Sequence, residues 1–255
     1  MILAIIQARM GSTRLPGKIL KDLAGKPQLW HVVKRVMRSR YIDKVIIATT
    51  TAPEDDATGQ FCRENNFLYS RGSVENVLER YYEAAKKYGA VAGDTIVRIT
   101  ADCPLIDPKI IDLCLEAFRK ENYDYTSNVF PGERTFPRGL DCEVFSFRAI
   151  EKAFQEATSA FDKEHVDPYI MDNKKGEFKI GPIVTAPQEY ARNYRLTVDF
   201  PEDFQLMELV YKKFYKEGGE IISVPEVLRY LDENPKFALM NAHCEEKQVG
   251  DQDTK

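Results

Sequence analysis

The chain has 255 residues, 44% of them hydrophobic, and its 36 Lys and Arg against 40 Asp and Glu give a formal net charge of −4. This length accommodates one sizeable hydrophobic core, so a second independent domain is not required. The mild acidity gives no global attraction to nucleic acid or to an anionic membrane, so any anion-binding site has to be local.

Apolar runs and cysteines limit the compartments in which the protein is expected. Purely apolar runs are short, and the first six residues lack the positive start and long apolar stretch of a signal peptide. The five cysteines, at positions 62, 103, 114, 142 and 244, form no CxxC pair, which argues against a zinc knuckle and a disulfide framework. We therefore expect a cytoplasmic protein with neither a membrane nor a nucleic acid as partner.

In the first half of the chain, short apolar runs alternate with stretches that carry apolar residues at helical spacing. The predicted strands are residues 3–7, 45–49, 67–70 and 95–100, and the predicted helices are 29–38, 54–65 and 74–88. This alternation is typical of βα units around a largely parallel, doubly wound sheet. Asp107–Pro108 predicts a helix from an N-cap to about residue 120, with a structural role for Asp107. Cys103 has no histidine near it in sequence, so we predict a buried side chain without thiol chemistry.

The pattern changes after residue 124. Residues 124–147 favour shorter, more polar strands added antiparallel at the edge of the sheet, where acceptor-binding loops often lie. Further predicted elements are helices at 149–157, 163–172, 203–215 and 225–232, an extended segment at 178–184 and a strand at 196–199. We expect one domain over residues 1–244, with a sub-region for acceptor binding or dimerisation at about 124–185, and a flexible tail at 245–255.

The segment after the first predicted strand has the composition of an anion-binding loop. Its sequence, QARMGSTRLPGK from Gln7 to Lys18, contains two glycines and three cationic side chains. Glycines let backbone N–H groups approach phosphate oxygens, while Arg9, Arg14 and Lys18 can offset the charge of a triphosphate. The alternative is a solvated basic turn.

This loop is neither a Walker A loop nor a GxGxxG motif. Five residues separate Gly11 from Gly17, and Ile19 stands where a hydroxyl would bind magnesium. A metal then has to be held by carboxylates at the carboxyl ends of strands. Asp102 and Asp199 each follow a predicted strand, and two carboxylates that share a dication with phosphate oxygens suit nucleotidyl transfer. Taken singly, each is more often a helix cap.

Two further segments supply candidates for an acceptor site. Asp141 and Glu143 share one face of a predicted strand and could grip acceptor hydroxyls, with Arg138 binding a carboxylate or phosphate. The alternative is an exposed polar strand face. Glu164 and His165 could contact the acceptor or act as a pair that deprotonates it. The alternative is a structural role in an amphipathic helix.

Seven segments occur in the order seen in a known family: QARMGSTRLPGK, ATT, RGS with ENVLERY, VRITADCPLIDP, FPRGLDCEVF, KEHVDPYI and RLTVDFPEDF. They span about residues 1 to 240 and resemble the cytidylyltransferase family of the spore-coat polysaccharide biosynthesis protein SpsF type. That family is similar to the synthetases that make CMP-linked acylneuraminate and CMP-linked octulosonate. The resemblance implies the three-layer α/β/α nucleotide-diphospho-sugar transferase fold, which is GT-A-like and Rossmann-like, with a mostly parallel sheet and a small antiparallel addition.

The same resemblance implies a reaction in which an acceptor oxygen attacks the α-phosphorus of CTP and pyrophosphate leaves. It implies Mg²⁺ as cofactor, held by Asp102 and Asp199, and a catalytic set of Arg9, Lys18 and Asp102, with Lys18 neutralising charge in the transition state. The nucleotide would be bound by residues of the loop and of two strand ends: Gln7, Ala8, Arg9, Gly11, Ser12, Arg14, Lys18, Arg71, Gly72, Ser73 and Asp102.

The resemblance does not give the identity of the acceptor, and our main hypothesis is a sugar acid, an amino-sugar derivative or a phosphorylated polyol used in surface polysaccharide assembly. Lys163 stands where we expect arginine in the family, directly before the Glu164–His165 pair. A homodimer is expected by analogy.

Two alternatives stay open. A glycosyltransferase of the same architecture would use Asp102 to bind the diphosphate of a nucleotide-sugar donor, although the density of cations in the loop favours a triphosphate. A non-catalytic nucleotide-binding protein would be favoured if the metal aspartates or Lys18 were missing, and all are present.

Overall fold

The computed structural model describes residues 1–129 and 134–244 and has a six-stranded sheet at its centre. In spatial order the strands are β5 (Leu68–Gly72), β4 (Lys44–Thr50), β1 (Ile2–Gln7), β6 (Thr95–Thr100), β8 (Glu143–Ser146) and β7 (Tyr125–Ser127). The first four are parallel, and β8 is antiparallel to both β6 and β7. A separate antiparallel hairpin joins β2 (Asp22–Leu23) and β3 (Lys26–Pro27). The predicted mostly parallel sheet with a small antiparallel addition is confirmed.

Helices cover both faces of this sheet. They are α1 (Gln28–Val36), α2 (Asp56–Glu64), α3 (Val77–Lys87), α4 (Pro108–Arg119), α5 (Phe147–Glu156), α6 (Ala160–His165), α7 (Pro168–Asp172), α8 (Pro201–Phe214), α9 (Val224–Glu233) and α10 (Pro235–Ala238), with 3-10 turns at Lys18–Leu20 and Pro53–Asp55. Because successive residues of a strand point to opposite faces, each buried strand serves two cores. In β1, Ile2 and Ile6 pack with α1, α4, α8 and α9, while Leu3 and Ile5 pack with α3 and α5.

The antiparallel addition follows residue 124, as predicted. The predicted extended segment 178–184 lies beside β7, where Gly181 N–H donates to Tyr125 O at 2.7 Å and Val184 N–H to Ser127 O at 2.9 Å. This segment widens the sheet at the edge remote from β5.

Asp107 caps α4, which confirms its predicted structural role. Its carboxylate accepts a hydrogen bond from Lys109 N–H at 2.9 Å and another from the Tyr190 hydroxyl at 2.9 Å. Both acceptor oxygens are therefore used within the fold.

The prediction of a strand at 196–199 is wrong. The backbone pairs only through an isolated bridge between Arg138 and Arg195. The amides that follow go to different partners, Leu196 N–H to Arg138 O at 2.7 Å and Val198 N–H to Asp102 O at 2.8 Å. Leu196 and Val198 are buried in the core beside α1 and α4, and no strand in the described ranges forms a continuous ladder with this segment.

The prediction of one helix at 163–172 is also wrong, because α6 and α7 are separate. Val166 has a φ of +72°, and this positive value ends α6, because a right-handed helix requires a negative φ. Pro168 lacks the N–H that a continuing helix requires. The break leaves His165 at the last position of α6.

No helix in the described ranges is long and apolar enough to cross a membrane. The tail predicted at 245–255 lies outside the described residues, as do residues 130–133 of the predicted acceptor sub-region.

Candidate active site

The loop after β1 is held in shape by contacts with the next βα unit. Asp55 accepts hydrogen bonds from Met10 N–H, at 2.7 Å, and from the Thr50 hydroxyl. Gly17 has a φ of +68°, a left-handed conformation that favours glycine, and its N–H donates to Met10 O at 3.2 Å. The loop therefore closes on itself between Met10 and Gly17, directly before Lys18.

Several backbone amides of this loop have no protein partner. Within the described part of the chain, the N–H groups of Arg9, Gly11, Thr13 and Arg14 make no hydrogen bond. All four residues border one cavity. Unpaired N–H groups beside cationic side chains are suited to phosphate oxygens. The loop thus has the donors that its composition predicts.

Lys18 is almost completely buried, with 8% of its surface exposed. Its ammonium donates to Asp102 Oδ2 at 2.9 Å, to Asp199 Oδ1 at 2.9 Å and to Val198 O at 2.8 Å, which uses all three of its protons. Burial by itself lowers the pKa of Lys18, but the two carboxylates outweigh burial and raise that pKa above its ordinary value. Lys18 is therefore a fixed positive charge between Asp102 and Asp199.

Asp102 is placed by the central strands. Ala101 N–H donates to Gln7 O at 3.0 Å, which extends the pairing of β6 with β1 by one residue. Burial raises the pKa of Asp102, but the Lys18 ammonium and hydrogen bonds from Thr100 and Cys103 bring it below its usual range. Asp102 is thus an ionised carboxylate at neutral pH.

Asp199 is held by guanidinium groups. Arg14 Nη2 lies 2.9 Å from Asp199 Oδ1, and Arg195 Nη2 donates to Asp199 Oδ2 at 3.0 Å. Asp203, which is fully buried, accepts hydrogen bonds from Arg195 Nε at 2.8 Å and from the N–H groups of Asp199 and Phe200 at 2.8 and 2.9 Å. Asp203 therefore fixes both the backbone and the cation that orient Asp199.

Gly139 lets the segment that carries Asp199 approach β6. It has a φ of +93°, and a Cβ there would lie 2.5 Å from the backbone of both Leu196 and Thr197. This close approach and the bridge between Arg138 and Arg195 bring residues 196–199 against Asp102 without a sheet strand.

These elements border a cavity of about 480 Å³, a volume usual for a small-molecule site. Five cationic and three acidic side chains line it: Arg9, Arg14, Lys18, Arg80, Arg98, Asp102, Glu164 and Asp199. The predicted site residues that border the cavity are Gln7, Ala8, Arg9, Gly11, Ser12, Arg14, Lys18, Asp102, Glu164, His165 and Asp199. The structure thus brings together the loop, both metal-ligand candidates and the Glu164–His165 pair.

The RGS segment predicted to contact the nucleotide does not border this cavity. Arg71 Nε donates to Thr50 O at 2.8 Å and Nη2 to Ala52 O at 2.9 Å, while Nη1 pairs with Asp56 at 2.5 Å. These contacts tie the end of β5 to the end of β4. Direct nucleotide binding by Arg71, Gly72 and Ser73 stays a prediction.

The predicted acceptor-binding strand face is likewise set back from the cavity. The strand begins at Glu143, which is buried and accepts a hydrogen bond from Arg98 Nη1 at 2.7 Å. Burial raises the pKa of Glu143, and the Arg98 guanidinium opposes this. Asp141 precedes the strand and pairs with Arg134. Acceptor binding by Arg138, Asp141 and Glu143 stays a prediction.

Cys103 is buried, as predicted. Burial, followed by the neighbouring Asp102 carboxylate, raises the pKa of its thiol well above the ordinary value. The thiol is therefore protonated at neutral pH and a poor nucleophile.

Arg80, Arg98 and Thr100 border the cavity, although sequence reasoning did not single them out. Arg98 and Thr100 lie four and two residues before Asp102 in the chain, so strand alternation could have placed them on the same side. Arg80 lies in α3, and only its position within the ENVLERY segment hints at a role.

Comparison with known proteins places the chain in a family. The family model for Cytidylyltransferase matches residues 3–233. The chain is 37% identical to an uncharacterized protein of Methanocaldococcus jannaschii over 96% of both chains. It is 32% identical to the spore coat polysaccharide biosynthesis protein SpsF of Bacillus subtilis over 93% of this chain and 96% of that protein.

A shorter stretch of 117 residues, 46% of this chain and 44% of the relative, is 39% identical to the 3-deoxy-manno-octulosonate cytidylyltransferase of Trichlorobacter lovleyi. Among solved structures, a cytidylyltransferase from Leptospira borgpetersenii superposes with a TM-score of 0.81 at 33% identity, covering 93% of this chain and 96% of that chain. The match of the family model to most of the chain, together with these relatives, shows that this protein belongs to the cytidylyltransferase family.

Proposed function

We propose that this protein transfers CMP from CTP to a sugar acid and releases pyrophosphate, for the synthesis of a surface polysaccharide. The observation that carries the proposal is the convergence of a cationic loop with free amides and two aspartates in one cavity. Membership of the cytidylyltransferase family supports CTP as donor. The similarity to 3-deoxy-manno-octulosonate cytidylyltransferase supports a sugar acid, and that to SpsF supports the polysaccharide context.

The loop supplies the groups that bind a triphosphate. Arg9 and Arg14 contribute delocalised cations suited to paired phosphate oxygens, and the unpaired N–H groups of Gly11 and Thr13 add neutral donors. Because these groups are held by the contacts of Asp55 and Gly17, little reorganisation is needed when the nucleotide binds.

Asp102 and Asp199 fit a magnesium ion that arrives with the nucleotide. The two carboxylates lie close together, because the Lys18 ammonium stands between them with Nζ 2.9 Å from an oxygen of each. Among the described residues, no group of three or more His, Cys, Asp or Glu side chains could hold a metal by itself. Mg²⁺ commonly uses one or two carboxylates and completes its shell with phosphate oxygens and water. When bound, the ion would neutralise phosphate charge and so favour attack at phosphorus.

The reaction then requires little covalent chemistry from the protein. An acceptor oxygen forms a bond to the α-phosphorus, the bond from that phosphorus to the bridging oxygen of pyrophosphate breaks, and the acceptor hydroxyl loses its proton. Arg9 and Lys18 stabilise the negative charge that develops on the phosphate oxygens. Glu164 and His165 border the cavity and are the candidates for contact with the acceptor.

Thermal unfolding with ligands tests the donor. The native chain is heated with CTP, UTP, ATP, GTP or a UDP-sugar, each with and without Mg²⁺, beside Asp102→Asn and the control Asp172→Asn. Asp172 is an exposed surface residue outside the cavity. A ligand at 100 times its Kd adds about 2.7 kcal/mol, or roughly 5 to 11 °C for a domain of this size.

We expect CTP to stabilise the native chain and the control, and the magnesium-dependent part of that stabilisation to disappear in Asp102→Asn. An acceptor screen with sugar acids, read out by pyrophosphate release, then identifies the substrate. Stabilisation by UDP-sugars and not by CTP would replace the proposal with a glycosyltransferase. Binding of CTP without pyrophosphate release for any sugar acid, amino sugar or phosphorylated polyol would favour a non-catalytic nucleotide-binding protein.

A further inference from the structure

Arg80 is a buried cation at the edge of the cavity. It lies in α3, has 3% of its surface exposed and borders the cavity together with Arg9 and Val77. Burial is the largest effect on the pKa of Arg80 and lowers it; Arg9 lowers it further, while Tyr81, Asp55 and Glu79 oppose the shift. Arg9 and Arg80 both line the cavity, so two positive charges there favour an anionic ligand.

The contacts of Arg80 leave part of its guanidinium unused. Nη1 donates to Ser73 O at 2.5 Å and to Val74 O at 3.0 Å. Nε is buried and has no hydrogen-bond partner, and within the ranges the structure describes Arg80 forms no ion pair. A buried guanidinium is normally matched by a carboxylate or phosphate. Arg80 therefore retains an unused N–H donor, for which a bound anion could be the partner.

The end of β5 aims this side chain. A Cβ on Gly72 would lie 3.1 Å from Arg80 Cγ, so glycine leaves room for the arginine stem. The carbonyls of Ser73 and Val74 then hold Nη1. The RGS segment does not border the cavity, but its residues contact Arg80, which does.

From these observations we infer that Arg80 binds the phosphate groups of the nucleotide and is positioned by Gly72, Ser73 and Val74. The inference rests on the proposed function and adds a nucleotide-binding residue from α3, outside the N-terminal loop. We choose the triphosphate of the nucleotide as the ligand because it offers several negative charges to Arg9 and Arg80 together.

Isothermal titration of the native chain, Arg80→Gln and Arg80→Lys with CTP, cytidine and inorganic pyrophosphate, all with Mg²⁺, tests the inference. Arg63→Gln is the matched control, because Arg63 is exposed and does not border the cavity. We expect Arg80→Gln to weaken CTP and pyrophosphate binding by about 10- to 100-fold, and cytidine binding to be unchanged. Arg80→Lys keeps the charge and should fall between Arg80→Gln and the native chain.

The outcomes separate this inference from the proposed function. If the native chain binds CTP and both Arg80 variants bind it equally well, the role of Arg80 is wrong and the function stands. If Arg80→Gln weakens cytidine as much as CTP, Arg80 acts on the RGS loop and not on phosphate, which also overturns the inference. If the native chain binds pyrophosphate through Arg80 but not CTP, the nucleotide assignment fails while the anion site stands. Should Arg80→Gln fail to fold, the comparison of Arg80→Lys with the control decides.

Discussion

Replacing Lys18 with methionine removes the ammonium that contacts both Asp102 and Asp199 while keeping most of the side-chain volume. Three hydrogen bonds of 2.8 to 2.9 Å are lost. Removing one partner of a buried ion pair costs about 3–5 kcal/mol. Since the Asp102 side chain is 26% exposed and water can partly replace the ammonium, we expect a smaller loss of about 2–4 kcal/mol. For a domain of this size, that corresponds to a fall in Tm of roughly 4 to 16 °C.

The pH dependence of this loss follows from Asp102. In the native protein its folded-state pKa is lowered, so Asp102 contributes stability above its unfolded pKa and loses it as pH falls through the folded pKa. Without the ammonium, burial raises the pKa of Asp102 and only the hydrogen bonds from Thr100 and Cys103 oppose it. The variant is then destabilised at pH values where Asp102 must ionise. The stability difference between native and Lys18→Met chains should therefore be largest near neutral pH, begin to shrink as pH falls through the raised pKa of Asp102 in the variant, and continue to shrink down to about pH 2, the folded-state pKa of Asp102 in the native chain.

Urea unfolding at several pH values measures both effects. Lys21→Met is the matched control, because Lys21 is exposed and its loss should change the free energy of unfolding by no more than about 0.5 kcal/mol. In the double variant Lys18→Met with Asp102→Asn, the Asp102 carboxylate that Lys18→Met leaves without its ammonium is absent. The free energy of unfolding should therefore fall by less than the sum of the two single losses. A Lys18→Met chain as stable as the native chain at neutral pH, or fully additive losses in the double variant, would refute the electrostatic account of Lys18.

Three further predictions concern the scaffold of the site. Gly139→Ala should lower the free energy of unfolding in urea by at least about 3 kcal/mol, because its Cβ would meet backbone at 2.5 Å. The control Gly176→Ala also has a positive φ, +65°, but open space around it, and should lower that free energy by about 1 kcal/mol. Equal losses would contradict the steric argument. Asp203→Asn should lower stability by about 3–5 kcal/mol, since it leaves Arg195 without its buried partner, and unchanged urea midpoints would speak against this. Iodoacetamide at pH 8 should leave Cys103 unmodified in the folded protein, because burial raises the pKa of its thiol. Mass spectrometry of peptides measures the modification. Rapid alkylation that abolishes CTP binding would show that the thiol is accessible.

Sequence reasoning succeeded where a local pattern has one physical outcome. The apolar runs that became β1, β4 and β6 are largely buried on both faces, and strands of a covered parallel sheet combine such runs with intervening amphipathic helices. The glycines and cations between Gln7 and Lys18 predicted a loop with exposed donors, and unpaired amides and cationic side chains of this loop border the cavity; phosphate binding by the loop stays a prediction. The N-cap at Asp107 could be predicted because an aspartate directly before a proline commonly begins a helix.

Sequence reasoning failed where the local structure depends on neighbours distant in the chain. Residues 196–199 have the apolar alternation of a strand, but their amides meet Arg138 and Asp102 singly, so no ladder forms. The alternative that Glu143 belongs to an exposed polar strand face is wrong, because Glu143 is buried and accepts a hydrogen bond from Arg98. Pattern alone does not say which face of an edge strand another strand covers.

Residue types within short windows were enough to predict the alternation of strands and helices, a loop with the composition of an anion-binding site, and two aspartates that could serve a metal. Long-range packing places Lys18 between those aspartates, which are 84 and 181 residues away in the chain. It also brings Asp199 to the cavity on an irregular segment and places Arg80 in the lining of the same cavity. These are contacts between separate elements, and they follow from how the two cores pack against the sheet, which no local periodicity encodes.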